Sequence, residues 1–146
     1  MIYENQIKTI CVIDGQGGGI GATIIKKVKE RYQEQVQVLA LGTNAIATAQ
    51  MLKARANRGA SGPNAIVQTV KRADAIIGPV SIIMPHAMMG EVTPEIAEAI
   101  ALSPAKKLLI PLTQENIEIT GVVSSPLPML VDELIDTALE QLVTQR

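Results

Sequence analysis

An apolar, β-branched run, Ile7 to Ile13, leads without a break into Asp14-Gly15-Gln16-Gly17-Gly18-Gly19-Ile20-Gly21. A segment with apolar residues at Ile20, Ile24, Val28 and Tyr32 follows, spaced by four as on one helix face. Few architectures accept a strand, a glycine-rich turn and a helix in direct succession. The arrangement opens a parallel α/β sheet and points the first backbone N–H groups of a helix at the space beyond the strand, where an anion can meet them. Glycines at that point have no Cβ to hold a phosphate away from the backbone.

The later segments extend the pattern. Val36 to Leu41 reads as a second strand ended by Gly42, and Thr43 or Asn44 caps an alanine-rich helix to about Arg55. Arg58-Gly59-Ala60-Ser61-Gly62 reads as a loop, and Pro63 opens a short helix to about Arg72. Ala75 to Ile77 begins a third strand, with Gly78-Pro79 after it and Val80 to Met84 apolar again. Pro85 to Glu91 reads as loop. Thr93-Pro94-Glu95 is a helix start, with a cap, a proline at the first position and an acid in the first turn. Lys107 to Leu112 and Ile117 to Val123 read as the fourth and fifth strands. Ser125-Pro126 opens a last helix with an apolar stripe through Leu130, Leu134 and Leu142. Five strands alternating with helices, with no hairpin signal, predict a doubly wound, Rossmann-like three-layer α/β/α domain over residues 1–146. Its expected strand order is 3-2-1-4-5, with the flavodoxin-like 2-1-3-4-5 as the alternative.

Composition narrows the partners. Net charge is −1 and charged residues are 18%, with no basic stripe and no stacking aromatics beyond Tyr3 and Tyr32, which argues against nucleic acid. Lys26, Lys27, Lys29 and Arg31 are interleaved with Glu30 and Glu34, as on a solvated helix face. The apolar fraction of 47% is almost wholly aliphatic, and with so few charges to cover the surface it favours a homo-oligomer. Ala75 to Gly90 is too broken by Pro79, Pro85 and His86 for a membrane span. Cys11 is alone within a strand, which fits an inert thiol and a cytoplasmic protein.

Gly15, Gly19 and Gly21 form G-x-x-x-G-I-G, and this turn resembles the cofactor turn of the short-chain dehydrogenase/reductase superfamily. The resemblance implies NAD or NADP, held by Gly15, Gln16, Gly17, Gly18, Gly19, Ile20 and Gly21. It does not carry over the activity. The Tyr-x-x-x-Lys pair of those enzymes is missing, since Tyr3 is followed four on by Ile7 and Tyr32 by Val36. The second strand ends Leu41-Gly42-Thr43-Asn44, with no carboxylate for a ribose. Thr43 and Asn44 either bond a ribose or base, or only cap a helix. There is no Gly-Lys pair, so the turn is not a Walker P-loop.

Over nearly its whole length the chain resembles a small family of uncharacterised bacterial proteins, a domain of unknown function. The resemblance rests on Val12 to Gly21, Gly42-Thr43-Asn44-Ala45, Ala75-Ile76-Ile77-Gly78-Pro79, Thr93-Pro94-Glu95 and Lys106 to Pro111. It implies no activity.

Asp14 ends the first strand and either braces the turn through backbone N–H groups or meets a metal or ligand hydroxyl. His86, the single histidine, is either a loop residue or an acid–base group. Metal sites built from several histidines or from Cys and His are excluded by count. Met84, Met88 and Met89 read as core or subunit contact. Gly78-Pro79-Val80-Ser81 and Thr113-Gln114-Glu115-Asn116 fall on the edge where such sheets bind ligands. The expectation is a phosphate-bearing nucleotide or dinucleotide at residues 15–21, with Thr43, Asn44, Gly78 and Pro79 beside it. The alternatives are a non-catalytic interaction module packing through Ala75 to Gly90, and a small enzyme on a phosphorylated metabolite using Asp14 or His86. Whether the protein is an enzyme stays open at this point.

Overall fold

The computed structural model describes residues 7–145, so Tyr3 and Glu4 lie outside the described residues. β1 (Lys8–Asp14), β2 (Val36–Gly42), β3 (Arg58–Ser61), β4 (Ala75–Pro79) and β5 (Lys106–Ile110) form one sheet in the order β3-β2-β1-β4-β5. Every neighbouring pair is parallel. The architecture and the order 3-2-1-4-5 are those expected from the sequence, although the strands expected third and fourth, from Ala75 and Lys107, are β4 and β5 here.

Two strand assignments change. The segment 58–61, expected as loop, is the edge strand β3 and pairs with β2 from Leu39↔Arg58 to Gly42↔Ser61. Its residues are all exposed, so it carries no apolar signature. Residues 117–123, expected as a strand, form none, and Ile117, Ile119, Val122 and Val123 are exposed. A parallel neighbour of β5 needs a crossover of a dozen or more residues, and the short stretch between Ile110 and Ile117 cannot supply one.

α1 (Gly19–Tyr32), α2 (Ala45–Lys53) and the last helix cover one face; α3 (Pro63–Thr69) and α4 (Pro94–Leu102) cover the other. The last helix runs over residues 127–144 as α5 (Leu127–Leu134), a π-helical turn Ile135–Leu139, and α6 (Glu140–Thr144). Alternation along the strands divides the core. Ile10, Val12, Ala75 and Ile77 face α1 and the last helix, whereas Cys11, Ile13 and Ile76 face α3 and α4. Both faces are buried, as a parallel sheet requires. Burial pushes the Cys11 thiol up to about 12, Asp74 adds to the rise and Arg72 opposes it, so the thiol is inert at neutral pH.

Helix ends follow local chemistry. Asn44 accepts from Ala47 N at 2.8 Å and Thr93 from Ile96 N at 3.1 Å, each capping the helix it precedes, and Pro63 and Pro94 open α3 and α4. The basic face of α1 meets the last helix. Lys27 pairs with Asp132 at 2.7 Å, Arg31 with Asp136 at 2.7 Å, and the Tyr32 hydroxyl donates to Glu140 at 2.6 Å. Within the segment 75–90, residues 75–82 are buried inside their own chain, whereas Pro85, His86, Met89 and Gly90 are exposed.

β1 and β4 meet closely at Gly78, where an added Cβ would run into the Ile13 carbonyl oxygen and press on Ile82. Gly78→Ala is expected to lower unfolding stability by roughly 1–3 kcal/mol through forced separation of the two central strands. Urea unfolding checks this, and an unchanged midpoint would refute it.

Candidate functional site

Asp14 sets the geometry of the turn. It is 4% exposed; its Oδ1 accepts from Gly15 N at 2.8 Å and its Oδ2 from Gly21 N at 2.7 Å. The carboxylate therefore spans the turn, tying the end of β1 to the first turn of α1. Burial pushes its pKa above the usual carboxylate value, against the lowering effect of the backbone N–H groups, and Glu91 nearby adds to the rise. Of the two roles open in the sequence, the geometry is that of the brace.

Between these anchors the backbone arches out. Gln16 and Gly18 have positive φ (49° and 76°), and Gly18 N donates to the Gly15 carbonyl at 2.9 Å. The N–H groups of Gly17 and Gly19 donate to nothing among the described residues. Beside the arch lies a cleft of about 370 Å³. Its floor includes Pro79 and Ser81, and its far wall is Leu112 with Thr113-Gln114-Glu115. This is the crevice beyond the carboxyl ends of β1 and β4, where the chain turns from one half of the sheet to the other and where ligands of such sheets bind.

Of the residues singled out in the sequence, Gly15, Gln16, Gly17, Gly18, Gly19, Ile20 and Pro79 line the cleft, as does Asp14. Gly21, Thr43, Asn44 and Gly78 do not. Gly21 packs its bare Cα against Met51 and Asp14. His86 is exposed on the loop after β4, outside the cleft, and its side chain makes no hydrogen bond among the described residues. Among the described residues no cluster of His, Cys, Asp and Glu could hold a metal.

Thr43 and Asn44 are engaged by a residue that sequence reading left unremarked. Glu91 Oε1 accepts from Thr43 Oγ1 at 2.6 Å, Asn44 Nδ2 at 2.8 Å and Gln16 N at 2.8 Å. It sits on a tight loop in which His86, Met88 and Met89 all have positive φ. Glu115 Oε1 accepts from Met88 N at 3.0 Å, fastening that loop to the far wall. Glu91 feels two opposing influences: desolvation raises its pKa, and the bonds from Thr43, Gln16 and Asn44 together outweigh it and hold the group below its usual value. The one signal in the sequence was an isolated acid closing an apolar turn. Met88, read from the sequence as core or subunit contact, lines the cleft, as does Ser81, which the sequence already put on the ligand-binding edge.

Residues 9–143 match a family model described as a domain of unknown function (DUF3842). The chain belongs to that family. Membership fixes the kin of the whole sheet and brings no activity with it. No curated protein matches the sequence. Among solved structures, a universal stress protein crystallised in complex with cAMP is similar with a TM-score of 0.43 and 15% identity, over 71% of this chain and 96% of that one. No helix among the described residues is long and apolar enough to cross a membrane.

The lowered pKa of Glu91 has a definite sign in stability. Its contribution is present above the unfolded value near 4.5 and is lost as pH falls through the folded value. Asp14 acts oppositely: with its folded pKa raised, its contribution is complete below 3.8 and is lost as pH rises through the raised value. Glu91→Gln is expected to cost about 1–2 kcal/mol at neutral pH and to flatten the loss of stability below pH 4.5. Denaturant unfolding across an acid pH series measures both. An acid limb as steep in the variant as in the parent would show that Glu91 does not cause it.

Proposed function

We propose that the protein binds a phosphate-bearing small molecule, a nucleotide, in the cleft beside the glycine turn, with its phosphate on the Gly17 and Gly19 amides. One observation carries this reading. Of the eleven glycines, nine are accounted for by the fold, because they have positive φ or because an added Cβ would strike a neighbour. Gly17 and Gly19 have neither reason: nothing lies within 4 Å of a Cβ built at either. Glycine costs roughly 0.5–1 kcal/mol relative to alanine in ordered structure, so two glycines with no internal need point to a molecule that approaches the backbone from outside. They flank the mouth of α1, carry unpaired N–H groups and line the cleft.

The lining suits such a ligand. Ile20, Pro79, Met88 and Leu112 offer apolar surface for a base or sugar, and Thr113 and Gln114 offer hydrogen-bonding groups. NAD and NADP belong to the same ligand class. Nothing in the cleft pairs a nucleophile with a base, so the reading is a binding function without an assigned reaction.

Thermal-shift measurements with NAD, NADP, FAD, ATP, nucleotide sugars and inorganic phosphate test the reading. A ligand at a hundred times its Kd is expected to stabilise by about 2.7 kcal/mol. Gly17→Val is the matched control. Its side chain enters open space, so unliganded stability is expected within about 0.5 kcal/mol of the parent, while the ligand shift disappears. Shifts that survive in Gly17→Val, or no shift with any phosphate compound, would end the proposal.

A further inference from the structure

We propose that the cleft takes a mononucleoside phosphate and excludes a dinucleotide, and that the Ser81 hydroxyl contacts this ligand together with the Gly17 and Gly19 amides. The inference rests on the phosphate-binding reading above and specifies its ligand class. Two independent features carry it.

The first is Ser81. It is only 5% exposed, it lines the cleft, and its hydroxyl has no partner among the described residues. No side-chain oxygen or nitrogen that is fully shut off from solvent lacks a hydrogen bond among those residues, so the Ser81 oxygen keeps some accessible surface. The space it reaches is the cleft. A buried hydroxyl left without an internal partner costs stability unless something outside the fold completes it. The 3-10 turn Val80–Ile83 that contains Ser81 fixes the residue: the Ser81 carbonyl accepts from Met84 N at 3.0 Å. The result is a rigidly held donor and acceptor in the same cleft as the unpaired amides.

The second is Glu91. In a dinucleotide site the chain of phosphates crosses the glycine turn, and the second nucleoside lies over the end of β2, its ribose held by an acid there. Here that ground is already taken. The Glu91 carboxylate holds Thr43 and Asn44, the two polar side chains at the end of β2, and also the Gln16 amide on the arch itself. The space over Gly15 is closed as well, because an added Cβ would lie 2.5 Å from Thr43 Oγ1, 2.6 Å from Met88 Sδ and 3.0 Å from Glu91 Oε1. The half-site beyond β2 is thus roofed by the protein's own loop and walled by a negative charge, which repels a second phosphate as well as blocking it. On the β4 side the cleft stays open, at about 370 Å³, the scale of a small-ligand pocket.

The test is calorimetric titration of the full chain with AMP, NAD and inorganic phosphate, for the parent and for Ser81→Ala. AMP is expected to bind at least about tenfold more tightly than NAD, and Ser81→Ala to weaken AMP about five- to tenfold with an unliganded Tm no lower than the parent's. Glu91→Gln, or Thr43→Ala if the first does not fold, is expected to narrow the gap between AMP and NAD. NAD binding as tightly as AMP would overturn the exclusion and leave phosphate binding standing. So would a gap unchanged in the Glu91 or Thr43 variant. Unaltered AMP affinity in Ser81→Ala, or a lowered unliganded Tm in that variant, would remove the serine contact. AMP binding no more tightly than inorganic phosphate would remove the nucleoside. Binding of none of the three would overturn both this inference and the reading beneath it.

Discussion

The structure depends on one buried carboxylate gripping the backbone at two points six residues apart. Asp14 accepts from Gly15 N and Gly21 N, and so fixes both ends of a turn that has little other internal support. Desolvating a carboxylate is costly, and the cost falls only when its oxygens find donors. The N–H groups at the start of α1 are among the few backbone donors in a helical domain that lack an acceptor. Each side of the contact thus satisfies the other's unmet need. With the ends held, residues 16–20 arch outward; Gln16 N goes to Glu91 and Gly18 N to the Gly15 carbonyl, and the Gly17 and Gly19 amides are left without an acceptor among the described residues. Were the turn held only by further bonds among its own backbone groups, those two amides would be spent.

How much of this the sequence discloses depends on the range of each interaction. Local features are legible. The run from Ile10 to Ile13 is buried on both sides because a central parallel strand is covered on both sides, and its residues say so. Asn44 and Thr93 cap helices because cap chemistry involves only the next three residues. The strand at 58–61 is illegible for the opposite reason. It lies at the sheet edge with its residues exposed, and what makes it a strand is the backbone of β2. The segment 117–123 misleads in the other direction. Its β-branched residues favour an extended chain, but propensity forms no sheet without a neighbour, and the connection from β5 is too short to provide a parallel one.

The candidate site divides along the same line. The glycine turn is contiguous and readable, and the cleft wall at Thr113-Gln114-Glu115 is readable from its place after a strand. Glu91 is not. It reaches Gln16 across 75 residues of sequence, and its aim is set by a loop whose shape no propensity rule anticipates. Three residues other than glycine hold positive φ there, at a cost of order 1–2 kcal/mol each. Such a loop persists only where its surroundings determine it. The Glu91 contacts hold one end and the bond from Met88 N to Glu115 holds the other. The acid that the sequence lacks at the end of β2 is therefore present in space, delivered from the far side of β4.

That delivery decides the electrostatics of the cleft. Among the described residues no lysine or arginine lines it, whereas Asp14 and Glu115 do and Glu91 stands beside it. On the proposed reading, an anion entering this cleft would be held by neutral amides and hydroxyls. It must settle where those donors are dense and the carboxylates are already engaged. Both Asp14 oxygens accept bonds, Glu91 accepts three through one oxygen, and Glu115 is turned to Met88 N. Each bond offsets part of the negative potential that the cleft would otherwise present. With no cation to draw ligands in from a distance, selection rests on short-range fit, since hydrogen bonds act over about 3 Å and long-range steering needs net opposite charge. A binding site built this way discriminates by shape and by the placement of its donors. That is why two glycines without an internal purpose and one serine without an internal partner say more about it than its net charge does.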